Sequence, residues 1–261
     1  MDIKIPYTPR KHQAFLHNKI SKHRWSVLVC HRRFGKTVCM INHLIRSALL
    51  SKNKNPRYAY ISPTFKQSKS IAWDYMKQFT AKIPYTKFNE TELRVDLPNG
   101  ARITLLGSEN SDGLRGIYLD GCVIDEYANV NDKLFPEIIR PALSDRKGYC
   151  VFIGTPQGMN NNFYELYQHA QGAEDWFNYK AKASDTKIVD EDELVKAKEV
   201  MGEKKYLQEF ECDWIANIEG AIYSDTLVKM EDKKQLTRVP YDPSLPVNTS
   251  WDLGVSDHSS I

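Results

Sequence analysis

Three apolar runs in this chain end the same way, and those endings constrain the fold most tightly. WSVLVC (25–30) leads into a loop closed by Gly35-Lys36-Thr37, GCVI (121–124) into Asp125-Glu126, and GYCVFI (148–153) into Gly154-Thr155-Pro156. Short apolar runs without polar alternation are the mark of strands buried on both faces. Between them lie stretches with apolar residues at helical spacing, such as TVCMINHLIRSALL (37–50) and SKSIAWDYMKQFTAKI (68–83). RYAYISPT (57–64) reads as a further strand, and LRVDLPNGARITLL (93–106) as a hairpin turning at Asn99-Gly100. Buried strands separated by helices predict an α/β domain with a mostly parallel central sheet. Ligands of such sheets bind beyond the carboxyl ends of the strands. All three polar endings fall on that edge.

The chemistry of those endings is consistent. CHRRFGKT (30–37) reads as a phosphate-binding loop, in which successive backbone N–H groups and a helix N-terminus face the phosphates. Cys30 stands where such loops usually open with glycine, and a small residue in ordinary backbone geometry can fill that place. His31, Arg32, Arg33, Phe34 and Gly35 complete the loop. Lys36 would reach the β- and γ-phosphates, and the Thr37 hydroxyl would ligate Mg²⁺. An acidic strand end is often a plain solvated cap. Beside a phosphate loop, however, Asp125 is placed to hold the Mg²⁺ shell through water, and Glu126 to act as general base toward the attacking water. Thr155 is either a turn residue before Pro156 or a polar sensor of the γ-phosphate. Gln13, in TPRKHQAFL, is either a surface amide or a reader of the adenine edge, with Tyr7 or Arg10 stacking on the base. Arg140, in EIIRPALSDRKG, is either a surface arginine or a finger supplied to a neighbouring subunit's γ-phosphate, with Arg146 the next candidate.

With 261 residues, 41% of them hydrophobic, the chain can bury a full-sized core. A net charge of +3 neither demands nor excludes nucleic acid, because binding needs a local basic surface. Five cysteines without a CxxC pair fit a reducing compartment, and seven histidines without ligand spacing predict no structural metal. The N-terminus lacks the apolar core of a signal peptide and no run is long enough to span a membrane, so a soluble intracellular protein is expected. The pattern divides into an ATPase-like core over 1–160, a lid and linker region over 161–229 with two charged helices broken at Met201-Gly202, a proline-bearing linker over 230–246, and a new beginning over 247–261.

Taken together, these blocks resemble the large terminase subunit of tailed bacteriophages, the ATPase motor that packages DNA. The resemblance rests on TPRKHQAFL, the loop CHRRFGKT with its two arginines, ISPTFKQSKSIAW, SDGLRG upstream of CVIDEYA, EIIRPALSDRKG, IGTPQGMNNNFYELY, and QEFECDW followed by GAIYSD. It implies a P-loop NTPase fold of the additional-strand, catalytic-glutamate class with Glu126 as that glutamate, a coupling role for Gly154-Thr155-Pro156, and a small lid. It further implies ATP and Mg²⁺ as cofactors. The partners implied are double-stranded DNA, the portal protein and the small terminase subunit. A homo-oligomeric ring is expected on assembly, with a monomer left open for the isolated chain. The place of action would be the host cytoplasm, docked on the viral procapsid. SWDLGVSDHSS resembles the opening strand of the family's ribonuclease-H-like nuclease, with Asp252 as its first metal ligand and Asp257 a weaker one. The sequence stops at Ile261 before further carboxylates appear, so no nuclease activity is expected of it, and it reads as a shortened chain. Two alternatives are a helicase- or restriction-type translocase and a nucleotide-dependent binding module without turnover. The first normally carries a second motor domain, and the second has no need of a base such as Glu126.

Overall fold

The computed structural model describes residues 5–109 and 114–215, with isolated residues beyond. The chain forms two compact units, Met1–Asn217 and Ile218–Ile261, and the elements named here belong to the first. In chain order they are α1 (Lys11–Ile20), β1 (Trp25–Cys30), α2 (Lys36–Leu50), β2 (Arg57–Ser62) and α3 (Phe65–Gln67). A π-helical turn, Ser68–Ala72, joins α3 to α4 (Trp73–Thr80). Then come β3 (Lys87–Asn89), β4 (Arg94–Asp96), β5 (Arg102–Gly107), β6 (Gly121–Ile124), α5 (Arg140–Ala142) and β7 (Tyr149–Gly154). The last are α6 (Asn162–Gly172), β8 (Trp176–Ala181), α7 (Ala183–Thr186), α8 (Glu191–Met201) and α9 (Glu203–Phe210).

One eight-stranded sheet runs in the order β3-β4-β5-β2-β6-β7-β1-β8. From β5 to β8 every neighbouring pair is parallel, and β3 and β4 add an antiparallel edge through the predicted hairpin. Strand alternation splits the core between the two faces of this sheet. Leu28 and Cys30 join Leu16, Met40, Leu44, Trp73 and Met76 beneath α1, α2 and α4. Val27 and Val29 join Ile124, Phe152, Leu134, Ile139 and Phe163 on the other face. Strands so covered are apolar on both faces, and β1, with Ser26 its one polar side chain, is legible as a run.

The sheet corrects one expectation. Residue 160 is no boundary, because β8 continues the sheet, pairing in parallel with β1 from Trp25↔Trp176 to Cys30↔Ala181. The core therefore includes α6 and β8, and only α7, α8 and α9 follow it within the expected lid. The break between the two charged helices falls at Gly202, whose φ of 79° a side chain would disfavour. The linker over 230–246 and the candidate nuclease residues Asp252 and Asp257 lie outside the described residues, apart from isolated positions.

Candidate active site

β1 leaves the sheet at Cys30, and the loop turns sharply into α2. Arg33 has φ 69° and Gly35 φ 87°, both in the left-handed region. This glycine is favoured by its conformation, and a Cβ here would also crowd Gln13 Nε2 at 3.0 Å. Among the described residues the amides of Arg33 and Gly35 have no protein acceptor, and with the first turn of α2 they leave a row of donors open to an anion. Lys36 Nζ donates to the Cys30 carbonyl at 3.2 Å and to Thr155 Oγ1 at 3.1 Å. The cation is thus held over the loop mouth.

Not every loop side chain faces that mouth. His31 is fully buried, its Nδ1 lying 2.6 Å from the Arg32 carbonyl and its Nε2 2.7 Å from Thr186 Oγ1. Phe34 is buried too and packs edge-on against His31 and His12. Cys30 is buried, and burial pushes its thiol well up. These three belong to the site through backbone alone, whereas Arg32 and Arg33 are exposed.

Two strands away, β6 ends in Asp125 and Glu126. Burial lifts the Asp125 carboxyl above its ordinary range, opposed by hydrogen bonds from the Tyr60 hydroxyl and the Glu126 amide and by the charge of Lys36. Tyr60 is itself fully buried, and burial with the charge of Asp125 raises its phenol. Tyr60 and Asp125 are thus tied side chain to side chain between β2 and the end of β6. Glu126 sits in the left-handed region, with φ 47° and ψ 49°. Burial raises its carboxyl as well, Lys36 pulls it back, and Asp125 and Glu209 push it up. A carboxylate raised toward neutrality and facing a lysine fits a general base.

β7 lies between β1 and β6, so Thr155 sits between Lys36 and the acidic pair. Two interstrand spacings set β1 and β6 about 10 Å apart, leaving room for a phosphate and a water. The oxygen donors Thr37 and Asp125 suit Mg²⁺. Among the described residues no group of three or more His, Cys, Asp or Glu could hold a metal. A Mg²⁺ here would take its other ligands from phosphate and water, as is usual for that ion.

Gln13 is buried at the base of the loop, donating to the Gly35 carbonyl at 3.3 Å and accepting from the Arg10 amide at 3.0 Å. The structure thus places Gln13 beside the loop and gives its amide a loop-bracing bond. Arg140 lies elsewhere. Its guanidinium is 4.9 Å from the Trp25 ring, at the start of β1, about 17 Å along the strand from Cys30. Arg146 stacks at 4.3 Å on Tyr118 and pairs with Asp120 at 3.6 Å, so its charge is spent within the fold. The basic residues that the sequence offers as DNA-phosphate grips or as a plain solvated face, Lys66 and Lys69 with the loop Lys52, Lys54 and Arg57, divide in the same way. Lys66 and Lys69 follow the carboxyl end of β2, whereas Lys52, Lys54 and Arg57 precede or begin it.

Sequence reasoning missed Tyr60, Gln208 and Glu209. Tyr60 had a signal, since a tyrosine inside a buried strand needs a hydrogen-bond partner. Glu209 accepts the Arg32 amide at its carbonyl at 2.8 Å and pairs with the Arg32 guanidinium at 3.8 Å.

Behind the loop, α1 and α2 meet through His17 and His43, stacked at 5.4 Å with their Nδ1 atoms 3.2 Å apart. Burial lowers His17 to about 4 with help from Arg46, and His43 to about 3 with help from His17 and Arg46. Both lie below the unfolded value of about 6.5, so their contribution is intact above pH 6.5 and is lost as pH falls below it. Stability measured by urea unfolding is expected to drop between about pH 6.5 and 5, by up to about 2 kcal/mol per histidine. His17→Gln with His43→Asn should flatten that slope. Asp125 and Glu126, raised in the fold, act in the opposite sense in both proteins, so the difference isolates the histidines.

A family model described as terminase large subunit, T4likevirus-type, N-terminal, matches residues 29–230. The large terminase subunit of Thermus phage G20c is 40% identical over 60 residues, which are 23% of this chain and 12% of that protein. The large terminase ATPase domain of Thermus phage P74-26 superposes with a TM-score of 0.67 at 20% identity, covering 80% of this chain and 95% of that one. The HK97 bacteriophage large terminase gives a TM-score of 0.60 at 13% identity, over 89% of this chain and 50% of that one. The chain thus spans about half the length of that solved enzyme. At these identities the structural likenesses establish the P-loop NTPase fold.

Proposed function

The chain belongs to the terminase large-subunit family through its N-terminal domain, and from that premise we propose that it hydrolyses ATP to drive double-stranded viral DNA into a procapsid. The observation that carries the reading is the strand β7 between β1 and β6, which sets Thr155 between Lys36 and Glu126. A large terminase of the same fold, from a thermophilic bacteriophage, has been solved in complex with ADP.

In this reading the open amides of Arg33 and Gly35 and the start of α2 receive the phosphates. Lys36 trades the Cys30 carbonyl and Thr155 hydroxyl for the β- and γ-phosphates. Gln13, already braced on Gly35, stands next to the adenine position. Thr37 and, through water, Asp125 would hold Mg²⁺, which neutralises charge developing on the phosphate oxygens. Glu126 takes the proton of the attacking water. Thr155, released by Lys36, registers whether a γ-phosphate is present. Arg140 serves a neighbouring subunit in a ring. Portal protein and small terminase subunit are the further partners, and the host cytoplasm, docked on the procapsid, is the place of action.

Lys36→Ala tests the site directly. Truncating a charge-assisted contact costs about 2–5 kcal/mol, so ATP affinity should fall by roughly 30-fold or more in a fluorescent-nucleotide titration. Failure of the unaltered protein to bind ATP would sink the reading of the loop.

A further inference from the structure

The last turn of α9 is hydrogen-bonded to both halves of the site. Gln208, 3% exposed, donates its Nε2 to the Pro156 carbonyl at 2.6 Å. The next residue, Glu209, accepts the Arg32 amide of the phosphate loop at 2.8 Å. On the strand side, Thr155 precedes Pro156 and accepts from Lys36 Nζ. The contacts close a circuit running Lys36, Thr155, Pro156, Gln208, Glu209 and Arg32, and back through the loop to Lys36. Proline has no N–H, so the carbonyl is the sole backbone polar group that Pro156 offers, and a buried amide is aimed at it.

We propose that Gln208 is a positioning residue that fastens α9 to the strand end at Thr155-Pro156, so that departure of Lys36 toward a bound phosphate moves α8 and α9. The inference rests on the proposed nucleotide site and names the side chain that transmits its state. Three features single out Gln208. It is buried, although glutamine is mostly a surface residue. Its bond spans 52 residues of sequence and joins α9 to the sheet. Its Oε1 accepts from Lys205 Nζ at 3.5 Å one turn earlier, which holds the amide on α9 while its Nε2 reaches the strand end. α8, by contrast, has no buried residue and follows α9 through their shared Gly202 hinge. A helix pair secured chiefly at one end responds as a unit when that end shifts.

The test is hydrogen exchange of the amides over 191–210, with and without Mg²⁺ and the slowly hydrolysed analogue ATPγS, alongside a nucleotide titration. In the unaltered protein nucleotide should change that exchange. Gln208→Met keeps the volume and removes the donor; the nucleotide-dependent difference should fall at least about threefold while affinity changes by less than about threefold. Gln208→Glu, which preserves shape but cannot donate when ionised, should behave likewise and serves if the methionine variant fails to fold. A nucleotide response in both variants equal to the unaltered protein's overturns the proposal, as does binding without any response over 191–210. Those outcomes leave the nucleotide site standing, whereas absence of binding by the unaltered protein removes the site and this inference together.

Discussion

Glu126→Gln is expected to leave ATP bound and to stop its hydrolysis, with kcat falling by about 10²–10⁴, the usual range for loss of a positioned base. The substitution isolates charge from shape. Glutamine matches glutamate in volume and can adopt the left-handed backbone that Glu126 occupies at φ 47°, so the turn after β6 is preserved. The carbonyl oxygen of the amide can still orient a water, but it accepts a proton far less readily than a carboxylate. Affinity should hold or tighten, because a buried negative charge near the phosphates is removed. Burial also raises the Glu126 carboxyl, with Asp125 and Glu209 adding to the rise, so the base is lost to protonation at a higher pH than an exposed glutamate would be. Hydrolysis by the unaltered enzyme should therefore decline on the acid side with an apparent midpoint above 4.5. Single-turnover hydrolysis with a parallel nucleotide titration reads both effects. Undiminished turnover in the variant would move the base elsewhere, with Asp125 the first alternative.

The features that set this site were unevenly visible in the sequence. β1, β6 and β7 are covered on both faces, so they read as apolar runs broken only by Ser26 within β1, and the polar residues at their ends stand out. The edge strand β8 is different. WFNYKA is only half-buried over most of its length, its residues mix polar and apolar types, and no apolar run marked it. That is why a boundary at 160 looked natural. The direction of loop side chains was hidden for a related reason. A phosphate-loop pattern specifies backbone, and only the packing of α7 and α9 against the loop decides that His31 turns inward to Thr186 while Arg32 turns outward to Glu209. Tyr60 and Gln208 find partners 65 and 52 residues away, separations over which sequence periodicity carries no information.

Arg140→Ala is expected to reduce hydrolysis by about 10³-fold or more in the assembled state without altering nucleotide binding by the isolated chain, the scale typical of an arginine acting in trans. Geometry supports action on a neighbour. Arg140 sits at the amino edge of the sheet, beside Trp25 and about 17 Å along β1 from the loop that holds its own chain's Lys36. It is exposed, and its described contacts are the Ser144 hydroxyl at 3.3 Å and the face of Trp25, which Arg24 also covers at 4.6 Å. No carboxylate neutralises it among the described residues, and the charge of Arg24 adds repulsion. An external phosphate would relieve that imbalance. The decisive measurement is a mixture of two inactive proteins, Glu126→Gln and Arg140→Ala. Where a subunit of the second supplies the base and its neighbour of the first supplies the arginine, the shared site is whole. Equal mixing should restore activity to about a quarter of the unaltered protein, since that fraction of interfaces in a closed ring is complete. The unaltered protein's rate should also rise more steeply than its concentration. A mixture as inactive as its components, with strictly proportional rates, would instead describe a site that one chain completes for itself.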